Sequence, residues 1–317
     1  VPDVEKTPST APVPAPRDGV PPGAIKAVPL RHWGRWVSAV AVVALLAALV
    51  LAFVNANVNW DVVGEYLTYD TIVEGAAKTL WITLLSMLIG VVLGMLLAVM
   101  RLSDNPVLSS VAWGYIWFFR GTPVLVQLFL WFNLSFVFET LNLGFYKDEM
   151  NDVMTPFLAA LLGLGLNEAA YMAEIARAGI LSVDHGQTEA AHALGMNGGK
   201  TMRRIVLPQA MRVIIPPTGN EFINMLKTSS LVYAINYTEL FRAQDTISSR
   251  NLAVMELLLV ATVWYLILTT VFSIGQYYLE RHYAKGSDRA QPPTPLQRVR
   301  AQLGSFRTKS RVGGVTV

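Results

Sequence analysis

Four side chains with something to offer a polar solute recur at helical spacing in an otherwise apolar stretch: Glu221, Asn224, Met225 and Thr228 share one face of any helix that runs through them. A charged residue in a membrane helix costs roughly 2.5–3.5 kcal/mol on insertion scales, so Glu221 is expected to face protein or water rather than lipid, and to mark a substrate path. Its carboxylate could receive a cationic group of a solute; the competing use is a structural ion pair with Lys227 or Arg177. A second constellation is the polar, basic stretch 189–208, EAAHALGMNGGKTMRRIVLP. Within it Gly199-Lys200-Thr201 would close a phosphate-binding P-loop only with glycine at position 194, which is Leu194, so this chain does not hold ATP in that way.

Other chemistry is thinly supplied. The chain has no cysteine, and His32, His185, His192 and His282 do not cluster, so neither a thiolate nor a metal site is expected. Paired aspartates, HExxH and GxSxG are missing, which leaves little for an intramembrane hydrolase. No cofactor is expected on this chain.

The elements that must position these residues are membrane helices. Charged residues make up 15% of the 317 and hydrophobic ones 53%, against roughly 25% charged in soluble domains. Crossing a ~30 Å hydrocarbon core takes roughly 20 apolar residues. Six runs reach or approach that length, at 37–54, 76–100, 124–138, from 156 onward, 214–235 and 254–277. The fold class expected is thus all-α and integral to the membrane, with six transmembrane helices. Residues 1–33 are proline-rich and 281–317 basic, and both are read as disordered tails. The helix at 34–56 is an addition in front of the main domain at 75–280.

Local signals refine this frame. Gly90 and Gly94 form a GxxxG in the second run, which lets another helix approach closely. Ser103-Asp104-Asn105-Pro106 is a turn signal and leads to a short aromatic segment at 111–119, the stretch 142–152 is polar and turn-like, and Pro216-Pro217 is expected to break the run at 214–235. The fourth run carries Asn167, Glu168, Glu174 and Arg177, of which the last two are three apart and can pair. In the polar stretch Thr188 is placed as a helix cap, Gly195 and Asn197-Gly198-Gly199 as left-handed helix stops, and Pro208 as the limit of a basic amphipathic helix from Lys200 to Arg212. Lys and Arg concentrate in both tails and on this stretch, so the positive-inside rule puts all three in the cytoplasm. The basic C-terminal tail is expected to lie on anionic membrane lipid.

At this point a resemblance enters. Glu189-Ala190-Ala191, three residues, Gly195, nine residues, Ile205, one residue, Leu207-Pro208 resembles at every defined position the EAA signature of ABC importer permeases. The segments RGTPVLVQLF (120–129), AYMAEIARAGI (170–180), GQTEAAHALG (186–195) and LPQAMRVIIPPTGNEFINMLKTSSL (207–231) are similar to the polar amino acid subfamily, over about residues 75–280. The resemblance implies a type I fold whose core is five of the six helices, and an importer in which 184–212 is the coupling loop. Glu189, Ala190, Ala191 and Gly195 would make the knob that docks on an ATPase, and Ile205, Leu207 and Pro208 would fix its return to the membrane.

It further implies two ATPase partner subunits that carry ATP and Mg, a second permease copy or paralogue, and an extracytoplasmic amino-acid-binding protein touching loops near 56–75, 141–154 and 240–253. Nucleic acid is not an expected partner. The chain departs from the family pattern at Asp184, commonly proline, at Thr228, commonly an acid, and at Tyr233 and Asn236, commonly smaller. With Glu221 the one acid on its face, a cationic amino acid is slightly favoured over a neutral one. The alternative function is a secondary transporter or channel for small polar solutes without an ATPase.

Overall fold

Apolar runs free of helix breakers form long helices here, and the polar intervals form short ones. The computed structural model describes residues 33–55, 58–142, 144, 145 and 147–283, so the disordered-tail expectations for 1–33 and 281–317 fall almost entirely outside the described residues. The chain divides into a unit ending at Val58 and a unit from Asn59 onward. Of the first, helix α1 spans Trp33–Val54, whose 22 residues rise about 33 Å.

The second unit opens with α2 (Trp60–Leu67), where the sequence suggested only a polar loop; Asn59 caps it by accepting from the N–H groups of Asp61 and Val62. Helix α3 (Asp70–Arg101) begins a turn and a half before the expected residue 76, where Ile72 and Ala76 are buried in one core cluster with Leu240 and Ala243, and a Glu74–Lys78 pair at 2.8 Å lies on the same turns. Helix α4 (Pro106–Gly121) starts on the predicted turn, with Asn105 as its cap and Pro106 in its first turn, and includes an aromatic stretch expected to be a short separate segment.

The expected third span at 124–138 is not one straight helix. Helix α5 (Val124–Phe132) lies at 102° to α4, and a 3-10 turn follows at Leu134–Phe136. Pro123, with no N–H to donate, separates the two helices at Thr122. The freed backbone at this corner is satisfied by side chains. Gln127 Nε2 donates to the carbonyls of Phe119 and Thr122 at 3.0 and 3.1 Å, and Asn167 Nδ2 donates to Phe119 O at 2.9 Å.

A small antiparallel hairpin, β1 (Thr140–Asn142) with β2 (Lys147–Glu149), and a single turn α6 (Met150–Val153) replace the turn-like stretch expected at 142–152. Helix α7 (Pro156–Leu181) packs more extensively on α3 than on any other element. The GxxxG explains the approach: a Cβ on Gly90 would lie 2.5 Å from Glu168 Cγ, and one on Gly94 2.5 Å from Met172 Cβ.

Helices α8 (His185–Ala193) and α9 (Gly198–Thr201) lead through a π-helical turn, Met202–Val206, into α10 (Leu207–Thr228). Neither Pro208 nor the Pro216-Pro217 pair ends a helix, contrary to the sequence expectation. Pro208 sits in the first turn of α10, where a missing N–H does no harm, and the wider π turn precedes it. Thus the return of the polar stretch and the expected fifth span, placed at 214–235, are one helix whose last part, Ser229–Ile235, tightens to 3-10 geometry. Asn236 closes it at φ 62 and accepts from Arg242 Nη2 at 2.8 Å, a role for asparagine at this departure from the family pattern.

Helix α11 (Leu240–Asn251) then packs between α3 and α12 (Val254–Tyr283), and α12 runs beyond the expected residue 277. Among the described residues three helices, α3, α7 and α12, are long and apolar enough to cross a membrane, or four if the bent α4–α5 pair is one span. The six-span expectation included α1, whose apolar stretch is shorter, and α10, whose face is too polar to qualify. The largest core cluster joins α3, α5, α7 and α10 through Ile82, Leu128, Leu164 and Met225.

Candidate functional site

The four residues predicted to share a face do so on α10, and they open on one space. A cavity of 630 Å³ is lined by Glu221, Asn224, Met225 and Thr228 together with Lys227 and Ser230, by Asn167, Glu168 and Tyr171 of α7, and by Val124 of α5. Its size is within the ~300–1,000 Å³ of small-molecule sites. Glu221 forms no ion pair among the described residues with either partner considered from the sequence. Arg177 instead pairs with Glu174 at 2.9 Å, as their spacing predicts.

Glu168 is the residue that sequence reasoning did not assign to the site. It is 4% exposed, and its Oε1 is buried with no hydrogen-bond partner. Gly90 creates the room for it, since a side chain there would overlap Glu168 Cβ and Cγ. Glu168 and Glu221 line the same cavity. Lys227 lines the same space and has no salt bridge among the described residues. An isolated buried carboxylate oxygen is expensive to keep dry, and here two acidic side chains and one lysine line a single cavity. The signal in the sequence was present: Asn167-Glu168 interrupts an apolar run, and only its helical face was unknown.

Arg120 stacks over the ring of the cavity-lining Tyr171 at 5.3 Å from its centroid. Asn167 Nδ2 also donates to Gln127 Oε1 at 3.2 Å, which ties this wall of the cavity to the α4–α5 corner.

The predicted docking residues gather on α8 and the following turn. The cap of α8 is Asp184, accepting from the Gly186 N–H at 2.8 Å, and not Thr188. At the far end Gly195 takes φ +76; its N–H bonds His192 O at 2.9 Å and the Met196 N–H bonds Ala191 O at 3.0 Å, a left-handed helix stop that glycine adopts without strain. Asn197-Gly198-Gly199 is not a stop: Asn197 accepts from the Lys200 N–H at 3.0 Å and starts α9. Glu189, Ala190 and Gly195 are exposed, with Leu194 beside them 83% exposed, whereas Ala191 is buried beneath the knob. Ile205 and Leu207 are half-buried and Pro208 exposed at the foot of α10. Lys200, Arg203 and Arg204 add exposed positive charge.

Known proteins share this architecture. Residues 90–285 match the family model described as "Binding-protein-dependent transport system inner membrane component". The chain is 53% identical over 271 residues to the arginine transport system permease protein ArgU of Corynebacterium glutamicum, covering 84% of this chain and 86% of that protein. It is 36% identical over 211 residues to the glutamine transport system permease protein GlnP of Escherichia coli K12, covering 66% and 91%. Among solved structures, an amino acid ABC transporter crystallised with histidines aligns with TM-score 0.63 and 36% identity over 72% of this chain and all of that one. The chain therefore belongs to the binding-protein-dependent transport system inner membrane component family, and it is a non-catalytic transmembrane permease subunit of an ABC importer whose ATPase is a separate subunit.

Proposed function

We propose that this permease imports a basic amino acid, and that the substrate rests in the cavity between α7 and α10 during transit. The observation that carries the reading is that Glu168, whose buried Oε1 has no partner, lines the same space as Glu221 and Lys227. A basic amino acid at neutral pH has two cationic groups and one carboxylate. Two carboxylates and one ammonium are their complement, with Asn224, Thr228 and Met225 completing the wall. The name of the Corynebacterium relative, an arginine permease, points the same way.

Residues 184–212 dock on the ATPase: Glu189, Ala190 and Gly195 present the contact surface with Leu194, Ala191 packs beneath it, and Ile205, Leu207 and Pro208 join it to α10. Two ATPase subunits hold ATP and Mg, a second permease copy or paralogue completes the membrane domain, and an extracytoplasmic binding protein delivers the substrate. The exposed Lys200, Arg203 and Arg204, with the basic tail beyond α12, support a cytoplasmic placement of this loop and of both termini.

The test is uptake into proteoliposomes containing the permease with its ATPase and binding protein, against a panel of basic, neutral and acidic amino acids. ATP-dependent uptake of a basic amino acid is expected, reduced about tenfold or more in Glu221→Gln and in Glu168→Gln, as for truncation of a buried charge contact. Unchanged rate and selectivity in both variants would remove the cavity as the site. Uptake driven by an ion gradient without any ATPase would overturn the docking role.

A further inference from the structure

Helix α10 carries the foot of the docking loop at one end and the cavity residues at the other, with Pro216-Pro217 between them. Each proline lacks the N–H that would bond the carbonyl four residues earlier, so the carbonyls of Arg212 and Val213 lose their helical partners and the helix is softest at this point. The half before the prolines is held by α7. A Cβ on Gly179 would lie 2.3 Å from Ile214 Cγ1, and Ala210 and Ile214 are buried with Ala98 and Ala176. The half after them faces the cavity and is held by different neighbours.

One side chain from another helix reaches the joint. Gln276 of α12 is 8% exposed, and its Nε2 donates to Pro216 O at 2.7 Å and to Glu280 Oε1 at 2.9 Å. The fit is close: a Cβ on Gly219 would lie 1.5 Å from Gln276 Oε1 and 2.2 Å from its amide carbon, so only glycine lets the amide reach the backbone of α10. Thr218 braces the same turn by donating to Ile214 O at 2.8 Å. A polar amide buried in an apolar groove with Phe222, Phe272 and Leu279 has few ways to be satisfied, and the carbonyl at the proline joint is one.

We propose that Gln276 is a positioning residue for energy coupling: it fastens the proline joint of α10 to α12, so that displacement of the docking end is passed to the cavity end instead of being absorbed at the joint. The groups that touch the amide are the Pro216 carbonyl, the Gly219 backbone and Glu280, none of which contacts the cavity. Gln276 is therefore remote from the substrate and acts through α10.

The experiment is the number of amino acid molecules imported per ATP hydrolysed, by the full complex in proteoliposomes, for the parent and for Gln276→Met, which keeps length and flexibility and removes the amide. The expected result is a drop in this ratio of about three- to tenfold, the range of one net hydrogen bond, with the ATPase still copurifying and ATP still hydrolysed. Gln276→Leu, which keeps the bulk and loses the donor, is read by the same ratio and carries the test if the methionine variant does not assemble. A ratio equal to the parent's, with transport and hydrolysis falling together or not at all, would overturn the proposal. It rests on the docking role of 184–212, and the two fail differently. Without that role no ATPase is retained by the parent permease, whereas failure of the Gln276 role leaves the complex intact and the ratio unmoved.

Discussion

Glu239 and Glu168 are both withdrawn from solvent, at 0% and 4% exposure, yet their surroundings are opposite. Glu239, between the end of α10 and the start of α11, accepts from the N–H groups of Phe241 and Arg242 at 2.8 and 2.9 Å and from the Tyr265 hydroxyl at 2.9 Å, with the Thr79 hydroxyl 3.3 Å away. Thr79 in turn accepts the Leu240 N–H at 3.1 Å. That carboxylate caps α11 and joins three helices. Glu168 has an oxygen with no partner, and the residue lines a cavity. A buried acid whose bonds are complete holds the fold together; one whose bonds are incomplete is available to a ligand.

The comparison can be broken most directly at Glu239. Replacing it with leucine strands two backbone N–H groups and a tyrosine hydroxyl, and is expected to lower stability by about 3–5 kcal/mol, the range for an opened buried network. Thermal unfolding of the detergent-purified protein measures this, and a parent-like melting temperature would show that the network holds nothing. The same carboxyl, which lies outside the spans, gives stability a pH dependence. Burial pushes it up to about 7, partly opposed by its hydrogen bonds. The folded form then binds the proton more tightly than the unfolded chain, so this contribution is fully present below the ordinary carboxylate range and is lost as pH rises toward 7. Glu239→Gln should flatten the melting temperature between about pH 5 and 7.

A smaller effect is expected where Glu168 is housed. Gly90→Ala forces a methyl into the Glu168 side chain and should cost about 1–3 kcal/mol of stability as overpacking, with uptake reduced in parallel. Glu168→Gln tests the functional half of the comparison with the least structural disturbance. Uptake of a basic amino acid should fall about tenfold, equivalent to ~1.4 kcal/mol, while the melting temperature stays level or rises, because no hydrogen bond to Oε1 is lost. A destabilised Glu168→Gln protein with unchanged uptake would reverse the two roles.

Much of this was legible along the chain. The EAA spacing marked the loop proposed here to dock, the GxxxG at Gly90 and Gly94 identified a close helix contact, and the period of Glu221, Asn224, Met225 and Thr228 identified one wall of the cavity. Prolines misled in both directions. Pro208, Pro216 and Pro217 were expected to limit helices and do not, because the first falls where no N–H is needed and the other two are braced by Thr218 and Gln276. Pro123, just ahead of the span expected at 124–138, turns the chain through 102°. Asp184, a departure from the family pattern, proves to be the cap that starts α8.

What the sequence determined by itself is whatever depends on neighbours along the chain: helix periodicity, the placement of turns, the apolar character of the bundle and the spacing of the docking signature. What only the tertiary structure decided is whatever depends on a partner from another helix. Glu168 and Glu239 are both acids beside apolar residues in the sequence, and nothing local tells them apart. The donors that complete Glu239 come in part from Thr79 and Tyr265, 160 residues before it and 26 after, and the glycine that houses Glu168 is on α3. Satisfaction of a buried charge is a property of the assembled bundle, and it is this that separates the acid that holds the fold from the acid proposed to hold the substrate.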